Sequence, residues 1–166
     1  MLYQIIKGIN QLVNQLIIND ELTIITKEQQ YLVKKSISLT LQEEISRQKV
    51  NVIFVDENEM KRINLQFRGV DSVTDVLSFQ NNVNNKYYWP NEKKTDEELL
   101  GEIIICFSQL KRQSLDKKVE LDYELALICV HGVLHLLGYD HHTKIEKRIM
   151  YSKTDNLLKN IFYKNE

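Results

Sequence analysis

Residues 125–137 read LALICVHGVLHLL and constrain the fold more than any other stretch. A run that is apolar on almost every side of a helical wheel belongs to a buried helix. It is too short to cross a membrane and carries His131, just as the other long apolar run, 99–107, carries Glu102. The rest of the chain must therefore supply surfaces that cover it. With 166 residues and 43% hydrophobic content, the chain is about one domain long and able to bury roughly 70% of the surface its unfolded form exposes. Five glycines and one proline exclude a collagenous or proline-rich chain.

The flanking segments can provide those surfaces. Ile5, Ile9, Leu12 and Leu16 recur at helical spacing, so residues 1–25 predict a helical N-terminal extension with a short strand near 22–25. A second helix is predicted over 27–47, with Leu32, Ser36, Leu39 and Leu41 towards its inner face. Residues 50–55 are β-branched, bounded by charge, and read as a strand. Asp56 and Glu59 then make a capping-box-like start to a helix that carries Met60, Ile63 and Phe67 on one stripe and stops at Gly69. Residues 76–79 and 102–106 read as two more strands, the first of which could run parallel to 50–55 because a helix joins them. Between them, 80–98 is polar, asparagine-rich and holds Pro90, which predicts a surface loop. Helices over 108–115, 120–137 and 144–160 follow. The sum is a single α+β domain over 1–166, with a small mixed sheet of about four strands covered by about five to six helices.

Charge and cysteine usage narrow the function classes. Twenty-two basic and 23 acidic residues leave a net charge of −1, so any nucleic acid must be held by a local patch. Cys106 and Cys129 show no CxxC spacing and read as buried thiols of a reducing compartment. The N-terminus lacks the basic region and small-residue cleavage site of a leader, so a cytoplasmic location with no membrane partner is expected.

All four histidines lie between 131 and 142, three of them as His131-x3-His135-x5-His141. On a helix, residues four apart share a face, so both imidazoles can reach one cation. Gly138 falls where a helix ends in a left-handed residue, and the reversal would bring His141 back towards the first two. Three imidazoles with an open fourth position make the ligand set of a catalytic zinc site. Cys129, about 200° round the helix from His131, is not a ligand. His142 is expected to face solvent, and Asp140 is either a ligand or a partner that orients an imidazole. The pattern is similar to the HExxHxxGxxH motif of zinc peptidases, but Gly132 stands where those enzymes keep their glutamate base. A peptidase is the weaker reading, and Gly132 is expected to allow close approach of another backbone or of substrate.

Upstream, Asn64-Leu-Gln-Phe-Arg68-Gly69 leads through Asp71 to Thr74-Asp75-Val76-Leu77-Ser78-Phe79. With HGVLHLLGYDH and Gly101-Glu102-Ile-Ile-Ile-Cys106, this closely resembles the YbeY family of bacterial metal-dependent endoribonucleases over residues 50–141. It departs at Val73 and Gln80, where the family often has proline, and at Glu102, where it commonly has Asp. The resemblance implies an α+β fold, one metal, usually taken as zinc, on His131, His135 and His141, and Arg68 in the cleft. It also implies a role in maturation of ribosomal RNA ends, especially of the small subunit, and in ribosome quality control.

The residues support that chemistry. A three-histidine zinc lowers the pKa of bound water and polarises a phosphoryl oxygen, and Arg68 offers a planar, always charged fork matched to phosphate. Catalysis is thus expected from Arg68, His131 and His135, with zinc on His131, His135 and His141. The metal motif contains no obvious general base. Lys111, Arg112, Lys117, Lys118, Lys144, Lys147 and Arg148 are candidate backbone contacts or solvated helix faces. Tyr87, Tyr88 and Trp89 either stack unpaired bases or cap the core. Single-stranded RNA, ribosomal RNA foremost, is the expected substrate, because duplex holds its backbone stiffly and hides its base edges; the ribosome or its small subunit is the expected partner, and DNA is not expected. Alternatives from other classes are a zinc hydrolase of peptides or small molecules, and a non-catalytic, metal-stabilised ribosome-associated module.

Overall fold

In a computed structural model of the chain, residues 16–20, 24–81 and 99–163 are described. Four strands, β1 (Leu16–Asn19), β2 (Lys49–Val55), β3 (Val76–Gln80) and β4 (Leu99–Cys106), form one sheet in the order β1-β2-β4-β3. β1, β2 and β4 are parallel, and β3 pairs antiparallel with β4. Five helices are described: α1 (Lys27–Glu43), α2 (Glu57–Arg68), α3 (Phe107–Lys117), α4 (Leu121–Leu136) and α5 (Lys144–Tyr163). The architecture is the expected single α+β domain with a mixed sheet.

Two pairing expectations are corrected. Strands 50–55 and 76–79 are not neighbours and run in opposite directions, because β4 lies between them. Ile103–Cys106 are all buried, the composition of a strand covered on both faces, and that places β4 at the centre. The strand expected near 22–25 lies earlier, at Leu16–Asn19, so Leu16 belongs to a strand and not to the end of a helix. Ile24 and Ile25 are irregular and donate their backbone N–H groups to the Asp20 carboxylate at 2.8 and 3.3 Å. The predicted opening helix otherwise falls on residues 1–15, outside the described residues, as do 82–98 of the predicted surface loop with Tyr87, Tyr88 and Trp89.

Local chemistry sets the helix ends. Thr26 caps α1 with a reciprocal box to Gln29, and α1 stops at Glu43, short of 47, where Ile45 turns to φ 55°. Asp56 caps α2 by accepting from the Glu59 N–H at 2.9 Å, but the Glu59 carboxylate accepts from Arg62 instead of closing the box.

Strand alternation sorts the core into two layers. Val50, Val52, Phe54, Ile103 and Ile105 face Val33, Ile37 and Leu41 of α1 and Leu125, Ile128, Cys129, Val133 and Leu136 of α4. On the opposite face, Leu77, Ile104 and Cys106 meet Met60 and Ile63 of α2, with Phe79 packed beside them. A third cluster joins Ala126, Val130 and Leu134 of α4 to Met150, Leu157, Leu158 and Ile161 of α5. Helix α4 thus lies between the sheet and α5, which accounts for its all-round apolar sequence. Each such side chain contributes about 1.5–3 kcal/mol when fully buried, so α4 is held firmly along most of its length. Among the described residues no helix is long and apolar enough to cross a membrane.

Candidate metal centre

His131 and His135 occupy the strip of α4 left between its two packed faces, and both are half-buried. The helix ends in a Schellman arrangement: Gly138 adopts φ 91°, its N–H donates to the His135 carbonyl at 3.0 Å, and the Tyr139 N–H donates to the Leu134 carbonyl at 3.0 Å. Gln80 adds a side-chain amide that donates to the Leu136 carbonyl at 3.0 Å. The reversal returns His141, exposed, to the first two rings, with centroids 5.5 Å from His131 and 5.2 Å from His135. One ring nitrogen from each of the three lies within 4.8 Å of the others.

These nitrogens fit a cation. His135 Nδ1 lies 2.9 Å from the Tyr139 carbonyl oxygen, an acceptor only, so Nδ1 carries the proton and Nε2 the lone pair. That Nε2 stands 3.1 Å from His131 Nε2, close to the about 3.3 Å separating two nitrogens on one tetrahedral zinc. Burial, together with neighbouring His135 and His141, lowers the His131 pKa to about 4, with Asp75 opposing. His135 is lowered as well, by burial first and then by His141 and Arg68, against the Tyr139 hydrogen bond and Asp140. Both rings are therefore neutral at pH 7, the form that binds metal.

Asp140 is not among the clustered ligand atoms: it accepts from the His141 N–H at 2.7 Å and lies 2.9 Å from exposed His142, while its charge still reaches His135. Cys129 is fully buried on the sheet side, where desolvation pushes its thiol up to about 12. At Gly132, a Cβ would stand 2.9 Å from Ile103 Cδ1 and 3.2 Å from Ser78 Oγ. The glycine lets α4 settle onto side chains of β4 and β3, not onto a backbone or a substrate. The position that holds a peptidase's glutamate points into the sheet, which removes the structural basis of the peptidase reading.

Arg68 lies in the last turn of α2, before Gly69 at φ 71°, and not in a loop. It is exposed, makes no ion pair or hydrogen bond with the described residues, and its charge reaches His135. The TDVLSF segment delivers Asp75 nearby: its Oδ1 accepts from the Val76 N–H at 3.0 Å, and its charge is felt at His131. Of the basic candidates, Arg112 is tied to Glu57 and Gln109, and Lys117 to buried Glu124. The others lie on exposed helix faces or turns.

Sequence reasoning missed the support behind His135. The Tyr139 hydroxyl donates to Glu44 Oε2 at 2.6 Å, Lys153 donates to Glu44 Oε1 at 2.5 Å, and the same ammonium sits 5.1 Å from the Tyr139 ring centroid. Burial raises the Glu44 pKa, but Lys153 and Tyr139 outweigh it and the carboxyl ends up lowered. Side chains from two elements, the end of α1 and α5, thereby hold the residue whose carbonyl orients His135. Tyr139 stands inside the histidine motif, but nothing in the spacing marked it, Glu44 or Lys153 as support for a ring. Groups that orient a metal-binding histidine are commonly worth 10–100-fold in affinity. Tyr139→Phe is expected to weaken divalent-metal binding about tenfold, and Glu44→Gln, which keeps an acceptor, by less. Chelator competition measures both; unchanged affinity in both would mean that the Schellman bonds suffice.

Three convergent imidazoles on a packed helix and its return loop, with exposed His141 on one side and a guanidinium unpaired among the described residues whose charge reaches them, define a candidate mononuclear metallohydrolase centre. The family model for endoribonuclease YbeY matches residues 16–162. The chain belongs to the YbeY endoribonuclease family. It is 38% identical over 145 residues to an endoribonuclease YbeY of Shouchella clausii, covering 85% of this chain and 91% of that protein. To one of Caldanaerobacter subterraneus it is 34% identical over 153 residues, covering 89% and 97%. A solution structure of a Thermotoga maritima protein superposes with TM-score 0.60 at 28% identity, over 88% of each chain.

Proposed function

We propose that the protein is a metal-dependent endoribonuclease that cleaves single-stranded RNA in the cytoplasm, acting on ribosomal RNA during maturation and quality control of the small ribosomal subunit. The observation that carries this reading is the convergence of His131, His135 and His141, within reach of the charge of Arg68, in a chain of this family. The three histidines would hold one divalent ion, zinc being the best match to three imidazoles with His135 bound through Nε2. When bound, such an ion supplies Lewis-acid polarisation of a phosphoryl oxygen and a lowered pKa for water.

The chain's own groups do the rest. Arg68 binds the scissile phosphate and neutralises the charge that builds on its oxygens as the bond breaks. The Tyr139 carbonyl keeps His135 in one tautomer and one orientation. His131 and His135 are half-buried on α4 while His141 is exposed, so a phosphate has to be presented closely to the helix to meet all three rings. A flexible strand can make that approach, whereas a stiff duplex must first open.

The test compares one oligoribonucleotide, free and annealed to its complement, at equal ionic strength, with and without chelator. The free strand is expected to be cut at least about tenfold faster, since unpairing costs a few kcal/mol, and chelator is expected to stop both reactions. Equal rates would refute the strand preference. Metal-dependent RNA binding without cleavage would establish the non-catalytic module instead.

A further inference from the structure

Phe67 lies on the inward stripe of α2 with Met60, Ile63 and Asn64, yet it is 57% exposed while those three are buried. The stripe outruns the sheet. Phe67 lies beyond the buried cluster under α2, and its ring meets Phe79 of the edge strand β3, 5.1 Å between centroids at an interplanar angle of 59°. An aromatic ring on a core-facing stripe, left more than half uncovered, offers a flat apolar surface.

Its location gives that surface a use. Phe79 is flanked by Ser78 and Gln80, whose side chains point to the other face of the sheet. There Ser78 lies against Gly132, and Gln80 reaches the carbonyls of His135 and Leu136. The Phe67–Phe79 pair and the histidine end of α4 thus sit on opposite sides of the same short piece of edge strand. Arg68, the next residue after Phe67, closes the same last turn of α2 and is exposed. An exposed ring and, one residue on, an exposed guanidinium with no ion pair among the described residues together match one nucleotide: phosphate on the cation, base on the ring.

We propose that Phe67, backed by Phe79, is the stacking platform for an unpaired nucleobase adjacent to the scissile phosphate. The inference rests on the endoribonuclease reading and specifies how that site holds its substrate. Stacking on one ring reads no hydrogen-bond pattern, so it admits any of the four bases and favours unpaired ones.

The test uses short single-stranded RNAs carrying 2-aminopurine at successive positions around the cut, titrated against wild type, Phe67→Leu and Phe67→Tyr. Wild type should quench the fluorophore at one position next to the cut. Phe67→Leu should lose that quench and bind about tenfold more weakly, while Phe67→Tyr restores both. An RNA with an abasic site at that position should bind wild type about tenfold more weakly than intact RNA does, a comparison made on wild type alone that holds even if the leucine variant folds poorly. Wild-type quench and affinity retained in Phe67→Leu would overturn the proposal and leave the patch to a protein partner. A wild-type protein that neither binds nor cuts RNA would overturn the endoribonuclease reading itself.

Discussion

His135→Ala is expected to release the bound metal and to reduce RNA cleavage by at least about three orders of magnitude. Of the three rings, His135 is the one whose ligand atom is unambiguous, because Nδ1 is committed to the Tyr139 carbonyl and Nε2 faces His131 at 3.1 Å. Removing it leaves His131 and exposed His141, too few donors for the four-coordinate site that three histidines and an open position would make. The fold should survive, since the apolar faces of α4 are untouched and the lost ring is half-buried. Elemental analysis and the melting temperature of chelator-treated protein separate the two effects. Undiminished metal in His135→Ala would sink the three-histidine assignment. A large drop in melting temperature without metal would make the residue structural.

Arg68→Ala should lower kcat by about 10²–10³ while leaving metal content unchanged and the melting temperature within about 2 °C of wild type. Its side chain is exposed and unpaired among the described residues, so little folding energy depends on it. Its charge, by contrast, reaches the histidine cluster. Arg68→Lys keeps the charge but loses the two-pronged fit to phosphate, and an intermediate rate is expected. If Arg68→Ala melts well below wild type, the residue is part of the fold; if its rate is unchanged, the phosphate is neutralised elsewhere.

Features carried by short-range spacing were legible in the chain. The four-residue step between His131 and His135 and the left-handed turn at Gly138 were enough to anticipate the clustered rings. The inward stripe of α2 was anticipated too, with Phe67 on it. Its exposure was not, because periodicity says which face a residue takes and not how far the opposing sheet extends. The same gap explains the misread pairing of β2 with β3. That connection looks like a parallel crossover until β4, which follows later in the chain, is known to insert between them. Glu44 and Lys153 were invisible for a related reason: they meet Tyr139 from 95 and 14 residues away, and nothing local marks either one. At Gly132, the sequence signalled a close approach but not that the neighbours would be Ile103 and Ser78.

The place of α4 between sheet and α5 divides the histidine cluster mechanically. Two of its rings ride on a helix gripped from both sides, and their spacing can be lost only when the two packed layers separate. The third rides on the short link to α5, fastened at Tyr139 by Glu44 and Lys153 but exposed beyond it. Such a centre is a vice with one jaw set in the core and the other on an exposed link. An ion held there would come and go on the timescale of that link, through excursions that leave the core folded.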